Sequence, residues 1–238
     1  MTPTPQLSVV IPCFNEQGNI EKLVTSLRLL SNEQGQVEFV LVDNGSTDNT
    51  GQLLRTLTQG VVGVRVVSLP TNFGYGHGIK AGLRDARGHY LGWTHSDNQT
   101  DPKDVYEALS IAASRNGPTI VKGRRYGRSR VDTLFTWGMS VFESLLFRMK
   151  LRDINAQPTI FSRGLLADVL AGPDDFSLDL YALVVARQRE FVELRFPVKF
   201  GPRFSGESKW NTSTLARIKF VVRTVSFSLS LVKRKMPT

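Results

Sequence analysis

Asp97 stands in the segment GWTHSDNQTDP, with His95 two residues before it and Gln99 two residues after. A carboxylate with an amide oxygen close behind it can hold a divalent cation, and a cation so held can bridge the oxygens of a diphosphate. Glu16 follows Asn15 at the end of the apolar run VVIPCF, and Asp43 follows the largely apolar run VEFVLV. A polar pair or a carboxylate placed where a strand opens into a loop can accept from a base or a ribose. Asn-Glu ahead of a helix is equally ordinary capping chemistry, so the first of these sites stays open between the two roles.

The other chemical feature is positive charge. The chain carries 30 Lys and Arg against 21 Asp and Glu, a net charge of +9. Much of the excess lies in Lys122, Arg124, Arg125, Arg128 and Arg130, and in eight bases against one acid after residue 200. Cations this close repel one another unless an anion is shared among them, which points to phosphorylated ligands or an anionic membrane surface. Tyr126 is the one aromatic inside the basic run and no nucleic-acid motif is present, so a nucleic-acid partner is not expected.

Elements must exist to position these groups. Apolar runs at Leu7 to Ile11, Val37 to Val42, Val64 to Leu69, Tyr90 to Thr94 and Thr119 to Val121 predict strands. Helices are predicted between them at Gln17 to Leu30, Asp48 to Thr58, Tyr75 to Ala86 and Pro102 to Ser114, with Asp48 and Asp101 at N-cap positions. Strands alternating with helices predict an α/β fold with a mostly parallel sheet covered on both faces, where ligands collect at the carboxyl ends of the strands. Pro12 is expected to stop the first strand. Beyond residue 130 the pattern changes to two amphipathic stretches, one with Leu134, Trp137, Val141 and Leu145 on a face, the other with Ile218, Val221, Val222, Val225, Leu229 and Val232. Both faces suit packing on the core, and the basic residues around the second also suit a membrane interface.

The 238 residues have room for one large domain. A single cysteine, Cys13, excludes an intramolecular disulfide framework and a Cys-rich zinc site; it reads as a buried small hydrophobe in a reducing compartment. MTPTPQLSVVIPCF lacks a basic n-region and a long apolar core, so a cleaved signal peptide is not expected, nor is a membrane-spanning segment.

PCFNEQGNI, DNGSTDNT, NFGYGHGIKAGL and HSDNQTDP follow one another in the order and spacing of the P-x-x-N-E, D-x-G-S-T-D, N-x-G-x-G and D-x-D-x-Q patterns of the family 2 glycosyltransferases, and residues 7 to 125 resemble that family. The resemblance implies a GT-A fold, a Rossmann-like sheet that binds a UDP- or GDP-sugar with Mn²⁺ or Mg²⁺. It implies that Pro12, Phe14, Glu16 and Asp43 line the nucleoside pocket, that Asn72, Gly74, Gly76 and Ser96 lie beside the donor, and that Asp97 ligates the metal and serves catalysis. The first acid of the D-x-D pattern is His95 here, a departure that favours Mn²⁺ if the imidazole and Gln99 join Asp97 as ligands; a hydrogen-bonded loop role for His95 stays open.

VKGRRYGRSRVD, LRDINAQPTIFSR and RFSGESKWN are similar to the polyprenyl-phosphate branch of the family, which contains dolichol-phosphate mannose synthase. That resemblance implies a lipid-phosphate acceptor held by Arg124, Arg125, Arg128, Arg203 and Lys209, since guanidinium forks match phosphate oxygens. Asp153 faces the acceptor by the same resemblance, as a catalytic base or a positioning group. The expected organisation is a GT-A domain over 1–211, with a donor half at about 7–125 and an acceptor half at about 126–211. A basic amphipathic helix follows at 212–238, and either it or the stretch 131–150 is expected to attach the protein peripherally to the cytoplasmic side of a membrane. A hydroxyl acceptor on a glycan, and a nucleotide-sugar binder without catalysis, are the competing readings. Asp179, at the start of an apolar helix, reads as a helix-terminal acid.

Overall fold

The computed structural model describes residues 4–34, 36–127, 130–205 and 214–233. Its first half is built as the apolar spacing predicts: β1 (Leu7–Cys13), α1 (Gln17–Gln34), β2 (Val37–Asn44), α2 (Thr50–Leu57), β3 (Val64–Leu69), α3 (Tyr75–Asp85), β4 (Tyr90–Trp93), α4 (Asp104–Ala113) and β5 (Thr119–Tyr126). There follow α5 (Arg130–Phe147), β6 (Thr159–Ser162), α6 (Leu166–Leu170), α7 (Leu178–Gln188), β7 (Val192–Lys199) and α8 (Thr214–Lys233). The seven strands form one sheet in the order β3-β2-β1-β4-β6-β5-β7. β6 runs antiparallel to both its neighbours while the other pairings are parallel, so the carboxyl ends of β1, β2 and β4 open on one edge.

Continuous apolar runs appear in the central strands because both faces are covered. Leu7, Val9, Ile11 and Cys13 of β1 pack with Leu23 and Leu27 of α1 and Val105 and Leu109 of α4, whereas Val10 packs with Ile79 and Leu83 of α3 and with α7 on the other face. Phe39 and Leu41 of β2 join the first layer, Val40 and Val42 the second. This period-two division is what the pleat requires.

Two local expectations need correction. Pro12 does not end β1, which continues to Cys13 with Pro12 opposite Val42. Val10 faces β4, its carbonyl accepting from Thr94 N at 3.0 Å, and Pro12 faces the same way two residues on, past the last β4 pair. There its missing N–H costs no ladder bond, and its carbonyl accepts from Ser96 Oγ at 3.1 Å. Asp48 lies ahead of α2 and spans two loops, accepting from Thr50 N at 2.9 Å and Gln17 N at 3.3 Å. Asp101 likewise closes a turn before α4, through Lys103 N at 3.0 Å.

In the first amphipathic stripe Trp137, Val141 and Leu145 do not pack on the core, and the Leu134 side chain lies outside the described residues. Trp137 is 63% exposed and Leu145 75%, and Val141 is also exposed, while Ser140 and Glu143 face inward. On α8, Val222, Leu229 and Val232 are exposed and Ser228 and Leu231 are buried. The inner faces meet polar to polar, Ser228 Oγ donating to Glu143 Oε1 at 2.8 Å, beside a small apolar cluster containing Leu151, Leu180, Leu183 and Phe227. Among the described residues no helix is long and apolar enough to cross a membrane.

Burial raises the Glu143 carboxyl from 4.5 to about 7, against the opposing pull of the Ser228 bond. An acid whose folded pKa is raised binds its proton more tightly when folded, so the stability it contributes is present below its unfolded pKa of 4.5 and is lost as pH rises through about 7. Glu143→Gln should therefore flatten the pH dependence. Between about pH 5 and about pH 8 the wild-type melting temperature should fall further than that of the variant, by the equivalent of roughly 2–3 kcal/mol, read by circular dichroism.

Candidate active site at the carboxyl edge of the sheet

The loops after β1 and β2 are joined by short polar side chains. Asn15, at φ 54°, accepts from Thr47 N at 2.8 Å, and Glu16 N donates to Thr50 Oγ1 at 2.8 Å. Asp43 accepts from Ser46 N at 3.1 Å and lies so close to Gly51 that a Cβ there would stand 2.0 Å from its Oδ2. These bonds hold Glu16 and Asp43 on neighbouring strand ends, with Phe14 half-buried beside them. Cys13 is sealed in the core; burial drives its thiol far above the usual range, which removes it as a nucleophile.

Asp97 is 7% exposed. Its Oδ1 accepts from Gln99 N at 3.2 Å and its Oδ2 from Arg203 Nη2 at 3.1 Å. Arg203 Nη1 also reaches Glu16 Oε1 at 3.4 Å, so one guanidinium lies between two acids supplied by different strands. The segment that delivers Arg203 is tied across the sheet edge: Gly201 N donates to Gln99 O at 2.8 Å, Gln99 Nε2 to Gly201 O at 3.1 Å, and Asn19 Nδ2 to Ser205 O at 3.1 Å. Arg203, grouped by sequence with the acceptor cations, thus sits beside the residues grouped with the donor. Its Nε has no hydrogen-bond partner among the described residues.

No three His, Cys, Asp or Glu side chains converge here among the described residues. What the crevice offers a cation is the Asp97 carboxylate, with Gln99 two residues on. That donor set fits a hard ion completed by phosphate oxygens and water, the usual arrangement for Mg²⁺ at nucleotides. The His95 ring packs against Tyr75, centroids 5.7 Å apart.

The N-x-G-x-G segment faces a second loop that sequence does not reveal. Gly74 N donates to Asn72 Oδ1 at 2.8 Å and its carbonyl accepts from Asn44 Nδ2 at 2.9 Å. A Cβ on Gly74 would stand 2.2 Å from Asp174 O, and one on Gly76 would stand 2.4 Å from Pro173 O. Gly74 also has φ 126°. These glycines are needed because residues 173–175 cross directly over them.

Asp179 does lie in the first turn of α7, yet it is 2% exposed and collects Lys122 Nζ at 3.2 Å, Trp93 Nε1 at 3.3 Å and Gln157 Nε2 at 2.9 Å. Gln157 Nε2 reaches the Tyr75 hydroxyl as well, at 3.3 Å, and burial with Asp179 nearby drives that hydroxyl above its usual range. The sequence signal for this role is an acid inside an otherwise apolar helical face, which helix capping accounts for equally well. Lys122, counted in the basic run, is fully buried in this pair and is not part of a charged surface; burial pushes its ammonium below the usual range while Asp179 pulls it back.

Of the remaining bases, Arg124 is exposed, and Arg125 Nε lies 3.6 Å from Asp153 Oδ1. Asp153 has φ 41°, and its carbonyl accepts from Arg195 Nη1 at 3.4 Å. Arg125 also lies over the Phe200 ring at 5.6 Å, next to the segment that carries Arg203. Arg128 and Lys209 lie outside the described residues.

A sheet of this order, with one reversed strand and an acid-lined crevice at its carboxyl edge, is a GT-A-type glycosyltransferase scaffold. The model of the family described as "Glycosyl transferase family 2" matches residues 8–164, and the chain belongs to that family. It is 28% identical over 231 residues to a dodecaprenyl-phosphate galacturonate synthase of Rhizobium johnstonii, covering 93% of this chain and 67% of that protein. It is 31% identical over 130 residues to a dolichol-phosphate mannosyltransferase of Mycosarcoma maydis, covering 52% and 43%. It spans about two thirds or less of the length of the curated relatives named here. Among solved structures, glucosyl-3-phosphoglycerate synthase from Mycobacterium tuberculosis with Mn²⁺, UDP and glucosyl-3-phosphoglycerate superposes with a TM-score of 0.73 at 21% identity, covering 96% of this chain and 80% of that one.

Lys122→Met leaves Asp179 as a buried charge without its cation. The variant should lose about 3–5 kcal/mol of stability at neutral pH, measured by urea denaturation; a loss below about 1 kcal/mol would mean that Trp93 and Gln157 suffice to hold the carboxylate.

Proposed function

We propose that the protein transfers a sugar from a UDP- or GDP-sugar to a polyprenyl phosphate, with inversion, at the cytoplasmic face of a membrane. The observation that carries this reading is Arg203, held between Glu16 at 3.4 Å and Asp97 at 3.1 Å at the carboxyl edge of the sheet, with its side chain 25% exposed. A diphosphate entering there meets a cation fixed in place before it arrives, which is how developing charge on a leaving group is stabilised without reorganisation. The names of the relatives support the acceptor class.

In this reading the nucleoside lies over the ends of β1 and β2, where Pro12, Phe14, Glu16 and Asp43 line its pocket; Asn72, Gly74 and Ser96 flank the donor. The diphosphate lies against Arg203 and Asp97. Asp97, with His95 or Gln99 as a further ligand, would hold a divalent cation, and its chemistry there would be Lewis-acid neutralisation of the departing diphosphate. The acceptor phosphate attacks the anomeric carbon, forming the new C–O bond as the bond to the nucleoside diphosphate breaks. A phosphate monoester is already anionic near neutral pH, so no residue need remove a proton. Asp153 then orients Arg125 for the acceptor, with Arg124, Arg128 and Lys209 as further cations. A hydroxyl acceptor would instead need Asp153 as a base.

In this reading the donor half is about 7–125, the acceptor half about 126–211, and the segment 212–238, which carries α8, the membrane contact. Trp137 and Leu145 of α5 and Val222, Leu229 and Val232 of α8 are large apolar side chains left in solvent, and bases accompany the second set.

Radiolabelled UDP- and GDP-sugars incubated with polyprenyl phosphate and Mn²⁺ or Mg²⁺ should place label in the organic phase. Label found only in a water-soluble glycan would move the reading to a hydroxyl acceptor, and tight donor binding without turnover would move it to a binding module. EDTA should suppress transfer, with Mn²⁺ restoring more than Mg²⁺ if His95 is a ligand. Arg203→Ala should lower kcat/KM by about 10²-fold. Removal of residues 215–238 should release the protein from anionic liposomes in sedimentation; unchanged co-sedimentation would place the contact elsewhere.

A further inference from the structure

A line of stacked groups runs from α8 to the metal-side end of the crevice. The Tyr75 ring stacks on Phe176 with centroids 4.5 Å apart and planes 11° from parallel, and meets the His95 ring at 5.7 Å and 31°. Arg223 of α8 places its Cζ over the Phe176 ring at 6.0 Å, and its Nε lies 3.7 Å from Asp175 Oδ2. His95, at one end of this line, is two residues from Asp97.

Phe176 is 43% exposed, which is unusual for a phenylalanine fixed by a parallel stack and unneeded by the core. Its loop has little freedom. Lys80 Nζ reaches Asp174 Oδ1 at 2.9 Å and Gly172 O at 2.5 Å, and His77 N donates to Asp174 O at 3.0 Å. With Gly74 and Gly76 bare beneath Pro173 and Asp174, the loop packs directly on the start of α3. Phe176, Tyr75 and His95 are thus in contact in sequence along this wall.

We propose that Phe176 and Arg223 are positioning residues of the donor site, holding Tyr75 and His95 in place and making the geometry beside Asp97 depend on how α8 is seated. The donor part of this inference rests on the nucleotide-sugar reading above; the structural part does not. Neither residue touches the donor crevice itself, and both act through Tyr75. Stacked aromatic pairs and cation–π contacts of this kind shift a local equilibrium by about tenfold.

The test uses the full chain with EDTA at fixed pH. The protein has 3 histidines, so the imidazole proton signals can be assigned with His95→Gln. Phe176→Ala should move the His95 signals as the Tyr75 ring, no longer stacked, shifts relative to the imidazole; Arg223→Gln should move them in the same direction by less, and Phe176→Tyr should restore them, with His89 unmoved throughout. His95 signals unchanged in both Phe176→Ala and Arg223→Gln would overturn the proposal. UDP and GDP titrated calorimetrically with Mn²⁺ give the second readout. Phe176→Ala should weaken binding about tenfold while the melting temperature falls by no more than about 5 °C, and Phe176→Tyr should rescue it. Equal affinity in wild type and Phe176→Ala would overturn the positioning role. Failure of the wild type to bind either nucleotide would defeat the nucleotide-sugar reading, and the histidine signals would still decide the line of contacts.

Discussion

Two carboxylates, Glu16 and Asp97, converge on the open edge of the sheet, and like charges brought together there call for a cation between them. Arg203 meets that need, with 3.4 and 3.1 Å contacts to the two acids. Much else follows from delivering it. The chain must leave β7, cross the edge and be held there by Gln99 and Asn19, and by crossing it joins the last strand to the first helix. The electrostatic requirement of the crevice and the closure of the fold are met by the same few residues.

The opposite wall has a different origin. Asp179, Lys122, Gln157 and Trp93 form a buried polar group under Tyr75, and the loop ahead of Asp179 presses on Gly74 and Gly76. A buried ion pair of this kind is poor evidence of added stability, because desolvation opposes the attraction. Its geometric effect is clearer: Asp179 anchors the start of α7 against β4 and β5, so the loop before it and the start of α3 share one position. The N-x-G-x-G glycines, which from sequence read as a donor loop, are also demanded by this backbone crossing.

The helices α5 and α8 join a third requirement to the same site. They meet through Glu143 and Ser228 and leave Trp137, Leu145 and Val222 outward. On α5 the apolar periodicity describes a surface and not a core, because the side that packs carries the polar pair, whereas α8 buries Leu231 near Ser228 and keeps Val222, Leu229 and Val232 outward. Helical spacing says which residues share a face and nothing of which face is covered.

What the sequence determined by itself is local or additive. The Val-, Ile- and Leu-rich runs separated by helical spacing imply a doubly wound sheet, since such strands are stable only when buried on both sides. The motifs at residues 12, 43, 72 and 97 announce themselves because each is a short string at a strand end. Asp97 and Asp43 are where those strings place them. Tertiary structure alone decided which distant charges meet. Arg203 is more than a hundred residues from Asp97, Lys122 is 57 from Asp179, and α8 follows every strand of the sheet it approaches. No periodicity or motif distinguishes a lysine that will be buried against an aspartate from one that will be solvated, because that difference is set by what packs over it.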